Sequence, residues 1–135
     1  MELPVEPLDG LKTQPSDAIY ADHKYHLITV LVERTATDTG AMAIFKRLRA
    51  MPEFKQGYSV LFDSSQVEVS MVTGDGVFKL AQSFPNDENR FAIVVNNPYS
   101  LGLAKAYEAC ANWKVNRVAV FNSTQAALES LGISD

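Results

Sequence analysis

The sequence predicts one α/β domain built on a mixed, mostly parallel sheet with helices packed against it, in the order ββαβαβαβα. Three observations carry this. Tyr58-Ser59-Val60-Leu61-Phe62, Arg90-Phe91-Ala92-Ile93-Val94-Val95 and Arg117-Val118-Ala119-Val120-Phe121 are short, nearly continuous apolar runs, the pattern of strands buried on both faces. Each is followed by a segment of helical spacing, and strand–helix–strand connections join parallel strands. The chain has 135 residues, the size of one domain and too short for two well-cored ones.

Taken in order, residues 1–17 read as an N-terminal arm, with three prolines (Pro4, Pro7, Pro15) and little periodicity, and the domain occupies 18–135. Ile19-Tyr20 and Leu27-Ile28-Thr29-Val30-Leu31-Val32 flank Asp22-His23-Lys24 and predict a hairpin. Thr37-Asp38-Thr39-Gly40 opens a helix whose apolar positions Ala41, Ile44, Phe45, Leu48 and Met51 share one stripe, and Pro52 closes it. After the strand ending at Phe62, the stretch from Gln66 to Met71 is ambiguous between strand and loop. A helix from about Asp75 to Phe84 follows, with Val77, Leu80, Ala81 and Phe84 on one stripe, Asp75 as its cap and Pro85 as its stop. The helix from Ser100 to about Asn112 turns Leu103, Ala106, Tyr107 and Cys110 inward. The final helix starts at Asn122, with Gln125 three residues on as in a capping box, and Gly132 ends it.

Composition narrows function. Net charge is −4, and the densest basic run, Lys46-Arg47-x-Arg49, reads as a solvated helix face, so no nucleic-acid partner is expected. The single cysteine, Cys110, forms no intramolecular disulfide and reads as a small core residue. Met1-Glu2-Leu3-Pro4-Val5-Glu6-Pro7 lacks the basic and apolar regions of a secretory signal, and no apolar run approaches the roughly 20 residues of a membrane span. A cytoplasmic protein with no integral membrane segment is the expectation.

Catalytic chemistry finds little support. His23 and His26 are the only histidines, three apart; strand alternation puts them on opposite faces, a turn between them lets them approach, and in either case no acidic or thiol partner stands at ligand spacing. Asp63-Ser64-Ser65 follows a buried strand but lacks the G-x-S-x-G elbow, and its only candidate bases are those histidines. Thr73-Gly74-Asp75-Gly76 precedes a helix but lacks the P-loop lysine, and Asp75 repels phosphate. No catalytic residue, cofactor or metal is assigned.

Two features remain. The carboxyl ends of the apolar strands carry Asp63-Ser64-Ser65, Asn96-Asn97-Pro98-Tyr99-Ser100 and Asn122-Ser123-Thr124, and parallel sheets bind ligands at that edge. Asn, Ser and Asp are also common cap and loop residues, so the same letters serve structure. The region Val67 to Phe84 holds more apolar residues than one narrow helical stripe needs, and its excess, Met71 and Phe78 above all, marks a dimer surface or an apolar ligand pocket.

The strand Ser59–Asp63 ending in aspartate, the run Arg90–Val95, and the closing strand Arg117–Phe121 with its helix carrying Ala127-Leu128 and Leu131 resemble the SpoIIAA-like (STAS-like) proteins over about residues 18–132. The resemblance implies a four- or five-stranded mixed sheet related to anti-sigma-factor antagonists and, more distantly, to CRAL-TRIO lipid-binding domains. It also implies a phospho-acceptor turn, Asp-Ser-Ser-Gly, before a helix. Asp63-Ser64-Ser65 has those letters about ten residues too early, whereas the turn position holds Met71-Val72-Thr73-Gly74, so Thr73 is the candidate acceptor.

The expected function is therefore a non-enzymatic regulatory or protein-interaction domain, self-associating as a homodimer. Met71, Val72, Phe78, Asn96, Asn97 and Tyr99 form its candidate ligand or partner surface. The alternative is a carrier of a small apolar or lipid ligand using the Val67 to Phe84 region.

Overall fold

The computed structural model describes residues 18–83, 87–112 and 117–133. The expected arm at 1–17 lies outside them, as do Phe84 and Pro85. The elements are β1 (Ala18–Asp22), β2 (Leu27–Thr37), α1 (Asp38–Ala50), α2 (Pro52–Lys55), β3 (Ser59–Met71), α3 (Gly74–Ser83), β4 (Phe91–Val94), α4 (Pro98–Ala111), β5 (Val118–Phe121) and α5 (Thr124–Ser130). The order matches the expected one apart from the single turn α2, which Pro52 opens after ending α1. The strands form one sheet in the order β1-β2-β3-β4-β5, antiparallel between β1 and β2 and parallel elsewhere.

Alternation along the strands builds two cores. Ile28, Val30, Val32, Val60, Phe91, Ile93, Val95 and Val118 belong to the larger one, with Ile44, Phe45 and Leu48 of α1, Val77 and Leu80 of α3, and Ala104 and Tyr107 of α4. Leu27, Leu61, Ala92 and Val94 form the smaller one with Ala127 of α5. Successive side chains of a strand point to opposite faces, which is why neighbours such as Val60 and Leu61 serve different cores. Within the larger core Phe45 stacks on Phe91 at 5.9 Å, and Tyr107 meets Phe45 edge-on at 5.8 Å.

Local chemistry moves several boundaries. Asp22 Oδ1 accepts from the backbone N–H groups of Lys24 and Tyr25, so the hairpin turn runs over 23–26 with His26 at a φ of 53°. The Asn97 side chain accepts from Ser100 N at 2.8 Å and Pro98 takes the first helical position, so α4 starts before Ser100. Ala104, not Ala106, is buried on its inner face, and Cys110 is only half-buried. Ser123, not Asn122, caps α5 by accepting from Ala126 N at 3.1 Å. Gly132 ends α5 as expected, at a φ of 80°, with Ile133 N donating to Leu128 O.

The ambiguous stretch from Gln66 to Met71 is strand. Four-residue β4 ends at Val94 opposite Asp63, while β3 continues to Met71 with β2 alone beside it. Along this extension the register shifts between Leu31 and Glu33 and again between Arg34 and Thr35. At each shift β3 supplies one more residue than β2, and Arg34, beside the second shift, takes a φ of 68°.

Candidate functional site

The bulges decide which side chains face water. Val67 is buried, and unbroken alternation puts Val69 and Met71 on the same side. The second register shift falls between the partners of Val67 and Val69 and reverses the phase. Val69 and Met71 are consequently 54% and 63% exposed, while Ser70 and Val72 face inward. Phe78 of α3, at 51%, and Tyr99 of α4, at 56%, are the other large exposed apolar groups at the candidate positions.

Four of the candidate positions, Met71, Val72, Thr73 and Tyr99, are drawn together. Met71, Val72 and Thr73 lead directly into α3, and the Tyr99 hydroxyl donates to the Val72 carbonyl oxygen at 2.6 Å, fastening the start of α4 to that approach. Phe78 lies one turn into α3. Asn96 and Asn97 are engaged otherwise. The Asn96 amide donates to Ser65 O, tying the end of β4 to β3, and Asn97 caps α4 while its own amide donates to Asn96 Oδ1 at 3.2 Å.

Thr73, not Asp75, is the cap of α3. Its hydroxyl accepts from Gly76 N at 2.9 Å and donates to Asp38 Oδ2 at 2.7 Å, and its backbone N–H donates to Asp38 Oδ1 at 2.9 Å. Asp38 opens α1, whose own cap is Thr37. One carboxylate therefore binds the start of α1 to the start of α3 across 35 residues of sequence. A Cβ on Gly76 would overlap the Asp38 carboxylate, so the close approach requires glycine there. Nothing in the sequence pairs Asp38 with Thr73, because each reads as a separate helix-start signal.

Behind this edge lies a cavity of about 130 Å³ between the sheet and α1, α3 and α4. Its walls include Val32, Ile44, Phe62, Val67, Val77 and Leu80, with Ala41 and Ala104 on the helix side. Two of the hydroxyls on its wall have local partners: Ser64 Oγ donates to Val94 O at 2.8 Å, and Thr37 Oγ1 accepts from Gly40 N.

The strand serines and the histidines stand apart. Ser65 Oγ donates to Asp63 Oδ1 at 2.6 Å within β3. His23 Nδ1 is 2.9 Å from the Tyr58 hydroxyl, Nε2 is 3.7 Å from Glu53 Oε2, and the His26 ring centroid is 5.0 Å from that of Tyr58. Both histidines thus meet on Tyr58, just before β3, and Ser64 lies six residues further along, at about 3.3 Å per residue nearly 20 Å away. Among the described residues no group of three or more His, Cys, Asp or Glu side chains is placed to hold a metal ion.

A second polar cluster closes the amino end of the sheet. Arg49 pairs with Asp87, and Arg117, 7% exposed, lies with its guanidinium 5.5 Å from the Phe91 ring centroid. Arg49 is therefore bound to Asp87 and only partly solvated, unlike the exposed Lys46 beside it. Burial pushes the Asp87 carboxyl above its ordinary value, against the pull of Arg49 and Arg117.

The fold matches that of an anti-sigma factor antagonist from Mycobacterium paratuberculosis, with a TM-score of 0.56 and 17% identity, over 90% of this chain and 100% of that one. No family model matches the chain, and no curated protein matches its sequence. The STAS-like arrangement expected from the strand and helix texture is thus the fold observed, in a five-stranded mixed sheet. Among the described residues no helix is long and apolar enough to cross a membrane.

Proposed function

We propose that this chain is a non-enzymatic regulatory domain that binds a partner protein through the exposed face around the start of α3, with Thr73 as its switch. The observation that carries the reading is the position of Thr73. It is an exposed helix cap flanked by the exposed Met71 and Phe78, beside the half-exposed Tyr99, and its hydroxyl spans α3 and Asp38. Apolar groups of this size on a polar rim suit a protein interface. The fold neighbour is an anti-sigma factor antagonist, so an anti-sigma factor is the partner class to test first.

Phosphate on Thr73 replaces the proton given to Asp38 with about −1.5 to −2 charges. The first turn of α3 attracts that charge, whereas the Asp38 carboxylate repels it. Asp38 then swings away from Gly76, and the tie between α1 and α3 is lost beside the binding face.

Calorimetric titration with the anti-sigma factor of the source genome tests this. Phe78→Asp and Thr73→Glu are expected to weaken binding by about tenfold or more, the cost of damaging an interface centre. Equal affinity of wild type and Phe78→Asp removes the surface, and equal affinity of Thr73→Ala and Thr73→Glu removes the switch. Self-association as a homodimer uses the same apolar groups, and sedimentation velocity of wild type against Phe78→Asp measures it.

A second reading, carriage of an apolar or lipid ligand, is favoured by the cavity that Val67, Val77 and Leu80 line. Mass spectrometry of an organic extract of the purified protein tests it: a stoichiometric lipid supports carriage, and a clean extract opposes it.

A further inference from the structure

We infer that the cavity between the sheet and α1, α3 and α4 is a binding site for a single-ring apolar molecule, of benzene to toluene size. The inference deepens the carrier reading by fixing the class of ligand, and it is independent of the partner surface. Three observations carry it: volume, wall chemistry and position.

The volume is about 130 Å³. Close-packed interiors leave few voids larger than a water molecule. A cavity of about 150 Å³ walled by Leu, Ile and Phe stays dry and takes up benzene, so this space suits one ring and is too small for a long acyl chain.

The wall is mostly apolar. Val32, Ile44, Phe62, Val77, Leu80 and Leu103 supply methyl and ring surface from both the sheet and the helices. A buried water needs two to four polar partners. Ser64 and Thr37, two of the hydroxyls at the wall, already bond to Val94 O and Gly40 N. Ser70 Oγ is turned to Val72 N at 3.4 Å. An apolar ligand regains there the contacts that the walls lack.

The position gives access. Thr37, Val72 and Ser100, all on the wall, stand at the starts of α1, α3 and α4 on the carboxyl edge of the sheet, and each is partly exposed. The Tyr99 hydroxyl holds the Val72 carbonyl across this edge from a half-exposed side chain. The Tyr99–Val72 and Asp38–Thr73 bonds are the ties that cross this edge.

Titration of methyl-labelled protein with toluene tests the site, with palmitate as a parallel titrant. Saturable toluene shifts, with nuclear Overhauser contacts from the ring to the methyls of Ile44, Val77 and Leu80, are the expected result. Ala104→Leu and Ala41→Leu fill the space from the helix side and are expected to weaken toluene binding by about tenfold or more. The contacts in wild type decide the matter if either variant fails to fold. Absence of a saturable shift up to the solubility of toluene overturns the site, as do contacts confined to the Met71 and Phe78 surface. Undiminished affinity in both folded variants overturns it too. Palmitate contacts to the same methyls without toluene binding overturn the single-ring class and leave the carrier reading standing, whereas failure of both titrants removes both.

Discussion

On the face of the sheet covered by α5, Ala127 is wholly buried in a small core with Leu27, Leu61, Ala92 and Val94. On the face covered by α1, α3 and α4, Ala41 and Ala104 line a cavity of about 130 Å³ inside a core several times larger. The same sheet thus buries a small helix residue completely on one face and keeps a cavity on the other. A single short helix can settle onto a strand surface until its small residue touches. Three longer helices also have to satisfy one another, and the Asp38–Thr73 and Tyr99–Val72 bonds fix their starts at separations set by polar geometry. The open face is therefore where binding and change are cheapest, and the filled face is where the fold is held.

Substitutions can break that comparison. The largest effect is expected at Phe91, 2% exposed and in ring contact with Phe45 and Phe54 beneath the Arg117 guanidinium. Phe91→Ala should cost about 3–5 kcal/mol in urea unfolding. A much smaller loss would mean that the open face is loose throughout and not only at its cavity. Next comes a matched pair, in which Ala127→Leu should cost about 1–3 kcal/mol by overpacking while Ala104→Leu is tolerated. Equal costs for the two would dissolve the contrast between the faces.

The polar tie at the open edge should be weaker than either core effect. Thr73→Ala removes the cap of α3 and the donor to Asp38, for an expected loss of about 1 kcal/mol in the same unfolding experiment. Asp38→Asn should give a similar loss with Thr73 intact, and a double variant no worse than the larger single one would establish that the two act as a pair.

The smallest effect is a pH dependence at the closed amino end. Burial raises the Asp87 carboxyl above its ordinary 3.8, with Arg49 and Arg117 opposing. Folding therefore takes up a proton at Asp87. The contribution of this group is fully present below 3.8 and is lost as pH rises through the raised folded value. Asp87→Asn should remove this fall, so that stability rises more steeply with pH just above 3.8, and an unchanged slope there would mean that Asp87 contributes nothing to it.

Much of the architecture is legible in the order and spacing of the residues. Continuous apolar runs at 58–62, 90–95 and 117–121 mark three parallel strands, because burial on both faces removes alternation. Helical stripes and Pro52 place α1, and Gly132 ends α5. The candidate face is legible in part. Met71 and Phe78 stand out as apolar residues beyond what a stripe needs, and both are exposed. Asn96 and Asn97 read as equally suitable, yet their side chains are spent on Ser65 O and Ser100 N, since a cap and a ligand contact are spelled with the same residues.

By itself the sequence determined the element types and the mostly parallel sheet, since hydrophobic period and crossover length are properties of the chain read locally. Tertiary structure alone decided the rest. The first bulge against β2 turned Val67 into the larger core and the second returned Val69 and Met71 to the outward phase, because phase in a strand depends on its partner's count as well as its own. The same holds for Asp38 reaching Thr73 across 35 residues, and for a cavity that exists only where three helices and a sheet fail to close. Contacts between distant residues have no local spelling, and the candidate switch and the inferred ligand site are both made of such contacts.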